Sequence, residues 1–301
     1  MTACAARDFA VWWHAHPAVA GLRARIDALA EDEDGPALIA AARPLIEDIS
    51  WASEAIAMLA RMAAADPWFE PPWRALDPER QRGLVFLNDR RLRISAQTVP
   101  LESLSAYKAA ALGRRSVGFT GALTLFRVVR AAGAELDLWE ADSAGEDFAV
   151  ARAGRCRRSG HLRLRDGMIF AIDGRSQAWT IAHQRGDMMM LQATARLNDA
   201  PLAIEYDATS GAFLSASATD GTIARMQLMA TLLRLMRRAD AAPAIAALAE
   251  DGPFFLRWHL ARELVATDRN AATPVLQRMA ATDPHAEIRA AAGRTLALIA
   301  A

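Results

Sequence analysis

Apolar residues recur every three or four positions over the first sixty residues of the chain. Phe9, Val11, Trp12 and Trp13 are followed by Val19, Leu22, Ile26 and Leu29, the spacing of helices with one buried face. The acidic run Glu31–Asp34 with Gly35 closes that segment. Pro36 stands where a helix can restart, because its fixed φ suits the first turn. Leu38, Ile39, Leu45, Ile46, Ile49 and Trp51 carry the stripe on through Met58, Leu59 and Met62. Asp66-Pro67 ends it, since the residue before a proline avoids the helical region. From Gly83 the period shortens to two. Leu84–Leu87, Asn88-Asp89 and Leu92–Thr98 predict a hairpin, and a short helix is expected over Leu101–Leu112. Strands follow at Ala122–Arg130, Glu135–Glu140, Phe148–Arg152, His161–Arg165, Met168–Ile172, Ala178–His183, Met188–Leu197, Leu202–Tyr206 and Ala212–Ala216. Strands this short at roughly ten-residue spacing indicate an antiparallel sandwich or barrel.

After Thr219 the helical period returns. Asp220 is placed to cap a long helix, Thr222–Arg238, with Ile223, Met226, Leu228, Met229, Leu232, Leu233 and Met236 on its apolar side. The remaining residues repeat themselves. Ala241–Leu264 and Ala272–Leu296 carry one pattern about 31 to 32 residues apart, which two copies of a helical hairpin explain. Pro243 corresponds to Pro274, Leu256-Arg257 to Ile288-Arg289, Arg262 to Arg294 and Leu264 to Leu296. The chain therefore reads as α+β: a helical segment over 1–80, an antiparallel β domain over 81–218 and a helical repeat region over 219–301.

Composition narrows the function classes. Of 301 residues, 53% are apolar and 23% charged, as in a folded protein, and 35 basic residues balance 35 acidic ones. Zero net charge argues against a general nucleic-acid binder. Lys108 is the one lysine, so the basic residues are arginine almost throughout. A coding bias towards Arg and Ala accounts for this, while bidentate anion contacts are the functional alternative. Cys4 and Cys156 are too few for a disulfide framework or zinc site. Met1–Ala10 does not read as a signal peptide, and no run of about 18 apolar residues could cross a membrane. A cytoplasmic protein without membrane contact is expected.

Two regions carry resemblances. The second helices of the repeats, LRWHLAREL and IRAAAGRTL, follow turns at Asp251-Gly252-Pro253 and Asp283-Pro284. These hairpins resemble HEAT-type repeats, in which an Arg early in the second helix and an acidic turn residue fix one layer to the next. Arg257 and Arg289 hold that position here. The resemblance implies an interaction surface. Gly167, then MIFAI, then Asp173-Gly174 resembles the glycine-rich segment of a cupin, a double-stranded β-helix barrel. Gln177 stands about where a cupin's metal-binding His would be, and the paired His and Glu of the other cupin motif are missing.

The candidate residues follow from these readings. His14 and His16 in WWHAH lie on a predicted helix, where positions two apart face different ways. His183, Gln177 and Trp179, with Arg163 and Arg165 from the cluster Arg152–Arg165, are candidate ligand-binding residues of the β-region. Arg257, Trp258 and Arg289 are candidate partner-binding residues of the repeats. No catalytic residue, metal ligand or cofactor is assigned. The leading expectation is a non-catalytic scaffold or regulatory protein that binds a protein partner through its repeats. It would be a homodimer through the barrel or the helix Thr222–Arg238. The alternative is a small-molecule sensor or enzyme with its ligand inside the barrel.

Overall fold

The computed structural model describes residues 2–31, 33–66, 68–71, 73–76, 82–102, 115–145, 147–196 and 199–300. From residue 103 on, the helix expected over Leu101–Leu112 lies outside them. The chain forms two compact units. The first comprises Met1–Asp142, Arg155–Asp199 and Glu205–Leu214; the second comprises Ser143–Gly154, Ala200–Ile204 and Ser215–Ala301.

The first unit opens with helices α1 (Thr2–Ala15), α2 (Pro17–Asp27), α3 (Gly35–Glu47) and α4 (Ser50–Ala65). Two of them begin at a side-chain cap. The His16 ring caps α2 by accepting from the Ala18 amide, and Asp34 caps α3 by accepting from Ala37 at 3.0 Å. Leu38, Ile39, Ala42, Leu45 and Ile46 form one buried stripe on α3, which packs on strands β5 (Leu123–Arg130) and β10 (Met188–Ala195). The front helices therefore share a core with the sheet rather than forming a separate segment. Phe9, Trp13, Leu22, Leu45 and Trp51 are buried together with Phe86, Leu92, Ile94 and Leu191. Arginines fasten the layers. Arg91 donates to the Ile26 carbonyl at 2.8 Å and Arg127 to the Glu47 carbonyl at 2.6 Å. Both reach carbonyls in the last turn of a helix, and Ile26 shares its oxygen with the Leu29 amide.

The strands are β1 (Arg74–Ala75), β2 (Arg82–Asn88), β3 (Leu92–Val99), β4 (Ser116–Phe119), β5, β6 (Glu135–Glu140), β7 (Arg157–Arg163), β8 (Ile169–Asp173), β9 (Gln177–His183), β10, β11 (Leu202–Asp207) and β12 (Phe213–Ala218). They form sheets in the orders β1-β2-β3-β10-β5-β8, β12-β11-β4 and β7-β6-β9. The antiparallel pairing matches expectation. The barrel does not: among the described residues each sheet has two free ends and none closes on itself. Phe148–Arg152 is not a strand but irregular chain with a 3-10 turn at Val150–Arg152. Its apolar–polar alternation supplies no hydrogen-bond partner, and pairing is what makes a strand. The space between β5 and β10 on one side and β6 and β9 on the other is filled. Phe126, Val128, Leu136, Met188 and Met190 are buried there, with Trp179 and Ile181 packed against them.

The second unit holds α5 (Gly221–Leu235), α6 (Ala242–Leu248), α7 (Phe254–Thr267), α8 (Arg269–Thr282) and α9 (Ala286–Ala300). Asp220 caps α5 by accepting from Thr222. Each helix packs on its successor from α6 to α9, and α5 packs on α7. Leu256, Leu260, Leu264, Leu276 and Ile288 form the core. The turn before α7 depends on Gly252, whose φ of +94° favours glycine and where a Cβ would sit 3.1 Å from Leu256.

Candidate ligand-binding cleft

The repeat offset that takes Arg257 to Arg289 also takes Phe255, Trp258, His259 and Arg262 to Glu287, Ala290, Ala291 and Arg294. On α7 and α9 these are positions i, i+3, i+4 and i+7, which share one helix face. All of them line a single cleft of about 580 Å³ in the second unit, within the size range of small-molecule sites. Phe254, Val150 and Leu202 extend the apolar lining.

Hydrogen bonds hold the polar side chains of the wall. His259 Nε2 lies 3.0 Å from the Gln227 carbonyl, which can only accept, so Nε2 carries the proton and donates. Thr231 Oγ1 lies 3.1 Å from the same nitrogen and donates to Glu263 at 3.0 Å. Glu263 also accepts from Arg234. His285, 8% exposed, stacks on Phe254 with ring centroids 4.3 Å apart and donates from Nε2 to the Phe148 carbonyl at 3.1 Å. Its Nδ1 meets no partner among the described residues. Arg262 and Arg294 are exposed at the cleft, and neither makes an ion pair among the described residues. The cleft thus combines an aromatic wall with one carboxylate, Glu287, and two guanidinium groups able to bind a carboxylate or phosphate.

The expected partner-binding residues are placed as follows. Arg257 donates twice to Asp283, at 3.0 and 2.8 Å, and also to the Gly252 carbonyl. The Asp283 side chain is 3% exposed. Arg257 of one hairpin is therefore bound to the turn of the next. Arg289 donates to the Asp283 and Pro284 carbonyls. Trp258 lines the cleft, half-buried.

The expected ligand-binding residues lie in the first unit and are spread along one small sheet. Glu135 of β6 faces Arg163 on β7 and His183 on β9. Both are exposed, as is Arg165 beyond the strand. A register shift between Glu135 and Leu136 leaves Ala182 as an extra residue in β9. This bulge turns His183 away from the face shared by Trp179 and Ile181. Gln177 accepts from the Asp173 amide at 3.2 Å, closing the β8–β9 turn, and Trp179 meets Phe126 edge-on at 6.0 Å. The neighbouring arginines are paired: Arg157 with Glu140 at 3.2 Å and Arg158 with Asp137. His161 stands between Asp137 and Glu135, 3.2 and 3.3 Å away. Among the described residues no three His, Cys, Asp or Glu side chains come together as a metal-binding group. No helix is long and apolar enough to cross a membrane among them.

Sequence reading singled out Trp258 but neither Arg262 nor Arg294 as a site residue. The signal is present in the sequence as their equivalence within the repeat.

No protein-family model matches the chain, and no curated protein matches it in sequence. Solved structures similar to it include ectoine synthase from P. lautus, at 9% identity and a TM-score of 0.26, covering 40% of this chain and 68% of that one. A cupin domain from Bordetella pertussis is 10% identical with a TM-score of 0.23, covering 40% of this chain and 97% of that one. A DMSP lyase from Ruegeria pomeroyi is 15% identical with a TM-score of 0.24, covering 64% of this chain and 91% of that one.

Proposed function

We propose that the chain is a small-molecule-binding protein, a sensor or an enzyme, and that the cleft along α7 and α9 receives its ligand. The ligand has a flat or branched apolar body and a carboxylate or phosphate end. The observation that carries this is the pair Arg262 and Arg294, repeat equivalents that line one aromatic cleft without an ion pair among the described residues. The filled space between the strands argues for placing the ligand here rather than among β5, β6, β9 and β10. Calorimetry with 3-phenylpropionate and its amide tests the reading. The acid is expected to bind the wild-type chain, and the amide and the Arg262→Gln/Arg294→Gln chain to bind at least tenfold more weakly, a loss of about 1.4 kcal/mol or more. Equal binding in all three pairings would overturn it.

A second reading is a scaffold with HEAT-like layers tied by Arg257 and Asp283, acting through protein contacts. The apolar stripe on α5 and the turn after it favours this. Leu228, Met229, Leu232, Leu235 and Met236 are all exposed, and such contiguous apolar surface marks interaction sites. The partner in this reading is a second copy of the chain. Sedimentation should then show a dimer that Leu228→Glu/Leu232→Glu converts to monomer. A wild-type monomer at micromolar concentration would exclude it.

A further inference from the structure

We propose that the first unit carries a second binding site, for a small aromatic carboxylate, formed by α1, α2, β1 and β2. A cleft of about 510 Å³ opens there, lined by Trp13, Trp73, Phe86, His14, Arg23 and Arg74. It shares no residue with the cleft on α7 and α9.

Its apolar wall is held rigid. Trp73 meets Trp13 edge-on at 5.1 Å and Phe86 edge-on at 4.8 Å. Perpendicular rings at this spacing lock one another and present faces or edges to a flat ligand. The two indoles differ in how their N–H groups are used. Trp13 Nε1 donates to the Phe86 carbonyl at 3.1 Å. Trp73 is 7% exposed, yet its Nε1 meets no acceptor among the described residues. That atom is closed to solvent on every side, so the ring serves as apolar wall and the charged side chains carry the polar contacts.

The charges point the same way. Arg23 and Arg74 make no ion pair among the described residues, and both are exposed at the cleft. Of the lining acids, Asp27 lies 3.7 Å from Arg91, and Asp89 accepts from the Arg91 amide at 2.9 Å. The His14 imidazole is held below its ordinary pKa by burial and by the charge of Arg23, so it adds little positive charge at neutral pH. The free donors are therefore two guanidinium forks, Arg23 and Arg74. They call for an acceptor-only anion, and the ring wall calls for an aromatic body attached to it. A carboxylate supplies both oxygens to such donors.

The test is calorimetry of indole-3-carboxylate against the full-length Arg262→Gln/Arg294→Gln chain, in which the other cleft is disabled. Failure here leaves the reading of that cleft untouched. One equivalent should bind, and indole-3-carboxamide should bind about tenfold more weakly. Arg23→Gln/Arg74→Gln, on exposed positions, should abolish the preference for acid over amide. Near-UV circular dichroism checks that each variant is folded. No binding, or acid and amide affinities that remain equal, would overturn the proposal.

Discussion

Arginines gather on the β6–β7 ladder and along the second helices of the repeats, and the two places use them in opposite ways. On the ladder, antiparallel register puts Arg157, Arg158 and Arg163 beside Glu140, Asp137 and Glu135. A strand facing acids neutralises its arginines by pairing across the sheet. On a helix the neighbours are residues three and four away. For Arg262 these are Trp258, His259, Val265 and Ala266, and for Arg294 they are Ala290, Ala291, Ala297 and Leu298. None is acidic, and Glu287, which lines the same cleft, makes no ion pair with either among the described residues, so both guanidinium groups remain open to a ligand. Arginine density along the chain is thus a poor guide to anion binding. The geometry that brings an acid opposite decides it.

The largest effect is expected at the hairpin arginine that does have an acidic partner. Arg257→Ala leaves Asp283 buried without its cation and should cost about 3–5 kcal/mol of stability, read by urea unfolding. A loss under about 1 kcal/mol would mean that the layers hold without this tie. Next comes Arg262→Gln/Arg294→Gln. Its expected effect is on ligand affinity, with stability changed by no more than about 0.5 kcal/mol, as for exposed groups without partners. A large stability loss would place these residues with Arg257 instead.

Asp199 gives a smaller, pH-dependent effect. Burial pushes its carboxyl up to about 6, against the pull of Arg196 and Arg175. The folded state therefore holds this proton more tightly than the unfolded state. Its contribution to stability is full below about pH 4 and is lost as pH rises through about 6. Asp199→Asn should raise the melting temperature at pH 7 by roughly 2 °C, after discounting for solvent screening, and flatten the fall between pH 4 and 6. An unchanged profile would mean that the native carboxyl titrates normally. The smallest effect belongs to the ladder. Arg158→Gln should cost at most about 1 kcal/mol and leave carboxylate binding unchanged. A loss of ligand affinity there would erase the contrast between the two places.

Much of this was legible beforehand. The α1–α4 stripe, the β2–β3 hairpin, β6 at Glu135–Glu140 and both terminal hairpins follow from periodicity. The repeat alignment already contained the Arg262–Arg294 equivalence. The β9 bulge was not legible. By alternation Gln177, Trp179, Ile181 and His183 share one face, and the extra residue Ala182 shows itself through the pairing with β6. The cleft around Trp73 was likewise out of reach, since Trp13, Arg23, Arg74 and Phe86 come from separate elements.

Periods of two and of 3.6 residues are properties of the local backbone, so element types, their apolar faces and the doubled hairpin could be read directly from the order of residues. Whether the sheets closed, which acid faced which arginine and where a cleft stayed open depended on contacts between segments far apart in the chain. Those contacts are settled by packing and register together, and a shift of one position, as at Ala182, turns a side chain from one face to the other.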